Sequence, residues 1–163
     1  MLALLLLLPT TAHATDVATR EMFGLGVATG YPFLNLTGKY YLGPKAGIAG
    51  YVGTAFYYQN LRAAYQLELT EIHAWDWARL NLYGQAGLDL GLVTQSWGKA
   101  QGRLGPFVGA GSALQFNSVP LEVFGELGLG VQVVNTYCHS ANVVSDGACW
   151  IGLGGGAGAR WYF

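Results

Sequence analysis

The chain has 163 residues, enough for one domain or for a small domain plus a processed segment. Hydrophobic residues make up 52% and charged residues 10%, against about 25% charged in an ordinary globular domain, so a water-facing surface would go largely uncovered. A formal net charge of −1 offers no basic field for nucleic acid, and no stretch approaches the ~20 consecutive apolar residues of a spanning helix.

A greasy chain without a spanning helix has one other membrane solution, the closed β-barrel. Twenty-five glycines also argue against long helices.

The chain opens with "LALLLLLP" (residues 2–9), a short apolar core, followed by "AHA" (12–14), a small-x-small site. Together they predict a secretory signal peptide over residues 1–14, cut before Thr15, and a mature barrel domain over residues 15–163. No Lys or Arg precedes the apolar core.

Barrel strands run ~9–11 residues with every second residue facing lipid. "MFGLGVA" (22–28) sets Phe23, Leu25 and Val27 on one face. "FLNLTGKYYL" (33–42) sets Leu34, Leu36, Tyr40 and Leu42 opposite Asn35, Thr37, Lys39 and Tyr41. "GIAGYVGTAFY" (47–57) is ambiguous, because both of its faces are small or apolar. "LRAAYQLELT" (61–70) opposes Leu61, Tyr65, Leu67 and Leu69 to Arg62, Gln66, Glu68 and Thr70.

"RLNLYGQAGLDLGL" (79–92) alternates leucines with Arg79, Asn81, Tyr83, Gln85 and Asp89. "PFVGAGSALQF" (106–116) sets Val108, Leu114 and Phe116 against Ala113 and Gln115. "LEVFGELGLGVQV" (121–133) opposes Leu121, Val123, Leu127 and Leu129 to Glu122, Phe124, Glu126 and Gln132. The last segment, "WIGLGGGAGARWYF" (150–163), puts Leu153, Trp161 and Phe163 outward and four glycines, Arg160 and Tyr162 inward. A helix would scatter these charges round its circumference, whereas a period of two sorts them.

The reading is therefore all-β: an eight-stranded antiparallel transmembrane up-and-down β-barrel, the smallest usual size. The expected outer connections are residues 29–32, 58–60, 93–103 and 134–149. The expected periplasmic ones are 43–45, 71–77 and 117–120. The two longest polar connections fall outside, as such barrels prefer.

A C-terminal strand of alternating apolar residues ending in Phe163 resembles the signal read by the outer-membrane assembly machinery of Gram-negative bacteria, with Trp161 and Phe163 as its aromatic positions. The whole pattern resembles the small eight-stranded outer-membrane barrels of the OmpA-transmembrane-domain and OmpX kind. "FGLGVATGYPFLNLTGKYYL" further resembles an uncharacterised barrel family opening with a GLG…GxP…GKYYL-like pattern. The resemblance implies the outer membrane of a Gram-negative bacterium, outer-membrane lipid around the barrel, and the assembly machinery as a partner in biogenesis.

The inward charges are Lys39, Arg62, Arg79, Arg160, Glu68, Asp89, Glu122 and Glu126, four of each sign. An eight-stranded barrel is just wide enough for side chains to fill, and charges inside are costly unless paired. The balanced set reads as a salt-bridge network plugging the lumen, with the arginines pairing the carboxylates. A narrow ion path lined by the same groups is the alternative. A water-soluble barrel with inverted faces is a further one that periodicity alone does not exclude, and composition argues against it because roughly one charge per strand would not solvate an exterior.

Catalytic candidates are few. His73 sits in a predicted turn, and His139, Ser140 and Asp146 share one outer loop without a strand partner. No metal set is present, since Cys138 and His139 are a lone pair and structural zinc wants four ligands. No cofactor motif is found, because "GLGVATG" (24–30) has no helix to follow. The expectation is a non-enzymatic barrel with a structural or surface-contact role. A low-conductance pore is the first alternative and a lipid-modifying enzyme the second. Cys138 and Cys149 flank "HSANVVSDGA" in the last outer loop, and an oxidising compartment predicts a disulfide between them.

Overall fold

The computed structural model describes residues 23–30, 34–55, 58–94, 100–135 and 151–163. The expected signal peptide, Cys138, Cys149, His139, Ser140 and Asp146 lie outside these residues. Eight strands span the fold: β1 (Phe23–Gly30), β2 (Leu34–Gly43), β3 (Ala46–Ala55), β4 (Tyr58–Ala74), β5 (Ala78–Thr94), β6 (Ala100–Phe116), β7 (Leu121–Val131) and β8 (Ile151–Tyr162).

Each strand pairs antiparallel with its neighbour in sequence, and β1 pairs with β8 from Gly24↔Tyr162 to Gly30↔Gly156. The result is a closed all-β up-and-down barrel of eight strands. Closure leaves no sheet edge running the length of the molecule. Among the described residues, no helix is long and apolar enough to cross a membrane.

Faces sort with a period of two. Leu25, Val27, Leu36, Leu61, Leu127 and Leu129 are exposed on the outside, while Lys39, Tyr41, Gln66, Tyr83, Glu122 and Arg160 are buried inside. The ambiguous third segment is settled by this geometry. Ile48 is 49% and Val52 57% exposed, whereas Ala49 is 0% and Tyr51 5% exposed. Tyr51 is the one bulky residue of β3 that reaches the lumen, and it packs edge-on against Phe124 at 6.5 Å. An apolar exterior of this extent fits a surface in contact with lipid rather than water.

Several boundaries differ from the sequence expectation. Residues 58–60, expected as an outer connection, are paired on both sides as the start of β4, and β5 runs on to Thr94. Two further differences have a clear physical cause. Residues 71–77 are not one long turn: β4 runs on to Ala74 and only Trp75–Trp77 reverse the chain before β5. Register shifts between Glu68 and Thr70, and again between Glu71 and His73, each insert an irregularity. A bulge changes which face the next side chain takes, so alternation fails there although the strand continues.

The second difference is at β6, which starts at Ala100 rather than at Pro106. Pro106 pairs with Leu88 on one side. On the other side it falls in the gap between the Leu104↔Val134 and Phe107↔Gly130 pairs. A missing N–H is tolerated there because no ladder bond is due. Beyond that gap the short segment Val134–Asn135 continues the pairing with β6.

One end of the barrel holds Phe23, Phe163 and the turns at 44–45, 75–77 and 117–120; it is called the terminal end below. The opposite end, where β7 leads toward β8, is the loop end. The last residues are fixed rather than frayed: Tyr162 N–H donates to Pro120 O at 2.8 Å and Phe163 N–H to Phe23 O at 3.0 Å.

Candidate functional site in the barrel lumen

The lumen is a stack of layers, and the sequence alternation supplies each of them. Nearest the terminal end the centre is Glu122 on β7, with no exposed surface. Its Oε1 accepts from Arg160 Nη1 at 2.8 Å, and its Oε2 lies 3.4 Å from Lys39 Nζ. Gln115 Nε2 reaches the same Oε2 at 3.3 Å.

Tyr41 links this carboxylate to a second one. Its hydroxyl accepts from Lys39 at 2.8 Å and Gln115 at 2.6 Å. The same hydroxyl lies 3.2 Å from Glu68 Oε1 and 3.3 Å from Glu122 Oε2. It has a single proton, so it donates to one of the two at a time.

Arg160 is held on every side. Its Nε and Nη2 donate to Thr37 Oγ1 at 3.0 and 2.9 Å, Nη2 also donates to Tyr51 OH at 2.8 Å, and the guanidinium lies 3.8 Å from the Phe124 ring centre. Arginine suits this position because a planar fork serves several acceptors at once while its face stacks on an aromatic ring.

The middle layer belongs to tyrosines and amides. Glu126 Oε2 accepts from Tyr51 OH at 2.8 Å and Tyr83 OH at 3.1 Å. Gln66 Nε2 donates to Gln85 at 3.2 Å and to Tyr51 OH at 3.3 Å. Ala28, Ala49 and Ala113 leave room for these rings.

Toward the loop end the packing changes. Asp89 on β5 accepts from Asn60 Nδ2 at 2.8 Å, Arg62 Nε at 3.2 Å and Arg103 Nη2 at 3.2 Å. Arg62, Asp89 and Arg103 keep 16–21% of their side-chain surface exposed, whereas Asn60 is buried. Arg62 also lies 3.7 Å from Glu126 and 4.5 Å from the Phe107 ring centre. Beside them is a cavity of about 220 Å³, bounded by Arg62, Asp89, Arg103, Phe107, Gln132 and glycines of β7 and β8.

The eight charges expected inside thus divide by level. Lys39, Glu68, Glu122 and Arg160 meet at the terminal end, Glu126 lies midway, and Arg62 and Asp89 meet at the loop end. Arg79 is half-buried near the start of β5. Arg103 was not anticipated inside: Pro106 made a strand start look natural and left Arg103 in a loop. Its parity with Phe107 was the available signal. Tyr41, Tyr83 and Tyr162 fall on the inner face by alternation while Tyr51 lies in the ambiguous segment, and nothing in their spacing announces that Tyr41 and Tyr51 join carboxylates across the lumen.

Outside, His73, Trp75, Trp77 and Phe116 form a chain of ring contacts at 4.4, 5.5 and 5.8 Å near the terminal end. Phe163 is 60% exposed at the same end, with Trp161 half-covered. Aromatic side chains gathered at one level suit a membrane–water interface. His73 is therefore a ring in this belt and not part of a turn. Among the described residues no group of three His, Cys, Asp or Glu side chains is placed to hold a metal ion.

No protein-family model matches this chain, and no curated protein matches it either. The search of solved structures finds the crystal structure of Acinetobacter baumannii CarO, an outer-membrane eight-stranded barrel, at a TM-score of 0.54 and 11% sequence identity, covering 86% of this chain and 97% of that one. At that identity the likeness is one of fold, and the fold it shares is that of an outer-membrane barrel.

Proposed function

We propose that this chain is a non-enzymatic outer-membrane barrel whose lumen is sealed by its own side chains and whose role is structural or one of surface contact. The observation that carries this reading is the layer around Glu122. Lys39, Tyr41, Glu122 and Arg160, each 0–2% exposed, meet across the barrel between β2, β7 and β8. An ion crossing this level would have to break charge-assisted bonds inside a dry interior, where an unpaired charge costs several kcal/mol.

The apolar outer face and the aromatic belt support this location. In this reading a signal peptide (1–14) exports the chain, Trp161 and Phe163 serve the assembly machinery, outer-membrane lipid surrounds the strands, and a Cys138–Cys149 disulfide closes the last outer loop.

Planar-bilayer recording on refolded protein tests the sealed lumen. The expected trace has no resolved conductance steps, and Glu122→Ala with Arg160→Ala should introduce them. Steps in the unmodified protein would favour the low-conductance pore. The loop-end cavity is the observation that speaks for that second reading, since it already opens part of the path.

A further inference from the structure

We infer that the outer face around Tyr65 is a contact between two copies of this chain, closed by a pair of Tyr65 hydroxyls. The inference rests on the outer-membrane reading and goes beyond it, since a sealed single barrel has no need of such a contact.

The outward side chains of β4 run Gln59, Leu61, Ala63, Tyr65, Leu67 and Leu69, with Thr70 following at the first register shift. Leu61 to Leu69 is the apolar stretch, and Tyr65 is its midpoint. Thr70 and Gln59 lie five and six residues away, which at the usual ~40° tilt is on the order of 13 Å of depth to either side. A phenol does not reach that far, so the hydroxyl stays within the apolar band. The side chain is 49% exposed, and its hydroxyl has no hydrogen-bond partner among the described residues. Hydrocarbon offers neither donor nor acceptor, and a bare hydroxyl there is costly. Tyr40 also points outward, but it pairs with Phe23 at the terminal end, in reach of water. Ser112 on β6 has a shorter way out, because a serine hydroxyl can bond its own main chain.

The ground around Tyr65 is low. It pairs with Ala86 on β5, and the next outward residue of its own strand, Ala63, pairs with Gly50 on β3. A Cβ on Gly50 would meet nothing nearer than 3.9 Å. Tyr65 thus stands as a knob beside a hollow floored by Gly50, Ala63 and Ala86. Small residues of this kind let walls approach closely inside a membrane.

The hydroxyl selects the occupant. A phenol both donates and accepts, so two Tyr65 hydroxyls on a two-fold axis satisfy one another, one as donor and one as acceptor. Each knob then meets the other copy's hollow, as a self-complementary contact requires. An acyl chain would fill the hollow and leave the hydroxyl bare. Strands of two barrels related by an axis along the membrane normal cross at twice their tilt, ~70–90°. The contact is therefore local packing of side chains and not pairing of strands.

The test is sedimentation equilibrium of the refolded full chain in density-matched zwitterionic micelles, where a reversible monomer–dimer equilibrium is expected. Tyr65→Phe keeps the ring and removes only the hydroxyl, and should weaken dimerisation about three- to tenfold. Ala63→Leu fills the hollow and should weaken it about tenfold or more, while Ser112→Ala should leave it unchanged. Heat-dependent gel migration shows that each variant is a folded barrel. A chain that migrates as a folded barrel yet stays monomeric at every concentration would overturn the contact and leave the outer-membrane reading standing, with Tyr65 facing lipid or another protein. A dimer untouched by Tyr65→Phe would overturn it as well. Absence of heat-dependent migration in the unmodified chain would sink the barrel reading and the contact with it.

Discussion

At the terminal end, Glu122 has no exposed surface and a direct partner for each oxygen; at the loop end, Asp89 has three donors but sits beside a cavity. Both are carboxylates on inner faces, and both are bound by arginine. The difference lies in what surrounds them. Around Glu122 stand Tyr41 and Thr37 of β2, Gln115 of β6 and Phe124 of its own strand, all buried. Around Asp89 the facing strands contribute Gly128, Gly130, Gly152 and Gly154. One barrel thus holds a tightly packed plug and an open cup, and side-chain size on β7 and β8 decides which is which.

The largest effect should come from breaking the plug. Glu122→Ala leaves Arg160 and Lys39 buried without their shared carboxylate, and the expected loss is about 3–5 kcal/mol. Denaturant unfolding from lipid vesicles measures it. Asp89→Ala removes a partner that water can partly replace, and a loss of about 1–3 kcal/mol is expected. Equal losses at the two sites would break the distinction between the ends.

Salt sharpens the same contrast. The Debye length falls from ~30 Å at 0.01 M to ~3 Å at 1 M. Added salt should therefore shrink the Asp89→Ala effect measurably and leave that of Glu122→Ala nearly unchanged.

The smallest effect concerns Cys138 and Cys149, which belong to the connection at the cup end. Reducing their proposed disulfide should relax that connection by somewhat under ~3 kcal/mol without moving the unfolding midpoint of the barrel. Thiol labelling before reduction would exclude the bridge.

Much of this was legible in the sequence where the period of two is unbroken. β5 and β7 carry alternation through most of their length, so Tyr83, Asp89, Glu122 and Glu126 could be assigned to the inner face by counting. Counting failed where geometry interrupts it. The two register shifts in β4 hid residues 71–74 as strand, and Pro106 hid the first turn of pairing in β6 with Arg103 on it. The division of the lumen into two ends was not legible. It depends on which strands face each other across the barrel, and a list of inward residues carries no such distances. The arginine that reaches Glu122 comes from β8, 38 residues later in the chain.

That last contact has a kinetic consequence. The seam joining β1 to β8 runs from Gly24↔Tyr162 to Gly30↔Gly156, so the first and last described strands must find each other before the cylinder exists. Contacts between such distant parts of a chain make folding slow. Until β8 arrives, β1 and β7 each present an open backbone edge, and Glu122 waits without its guanidinium. Closure should therefore be a late, concerted event in which hydrogen-bonded seam and ionic plug form together. A chain stopped before β8 would remain an open sheet with exposed edges, the form most exposed to aggregation and to proteases.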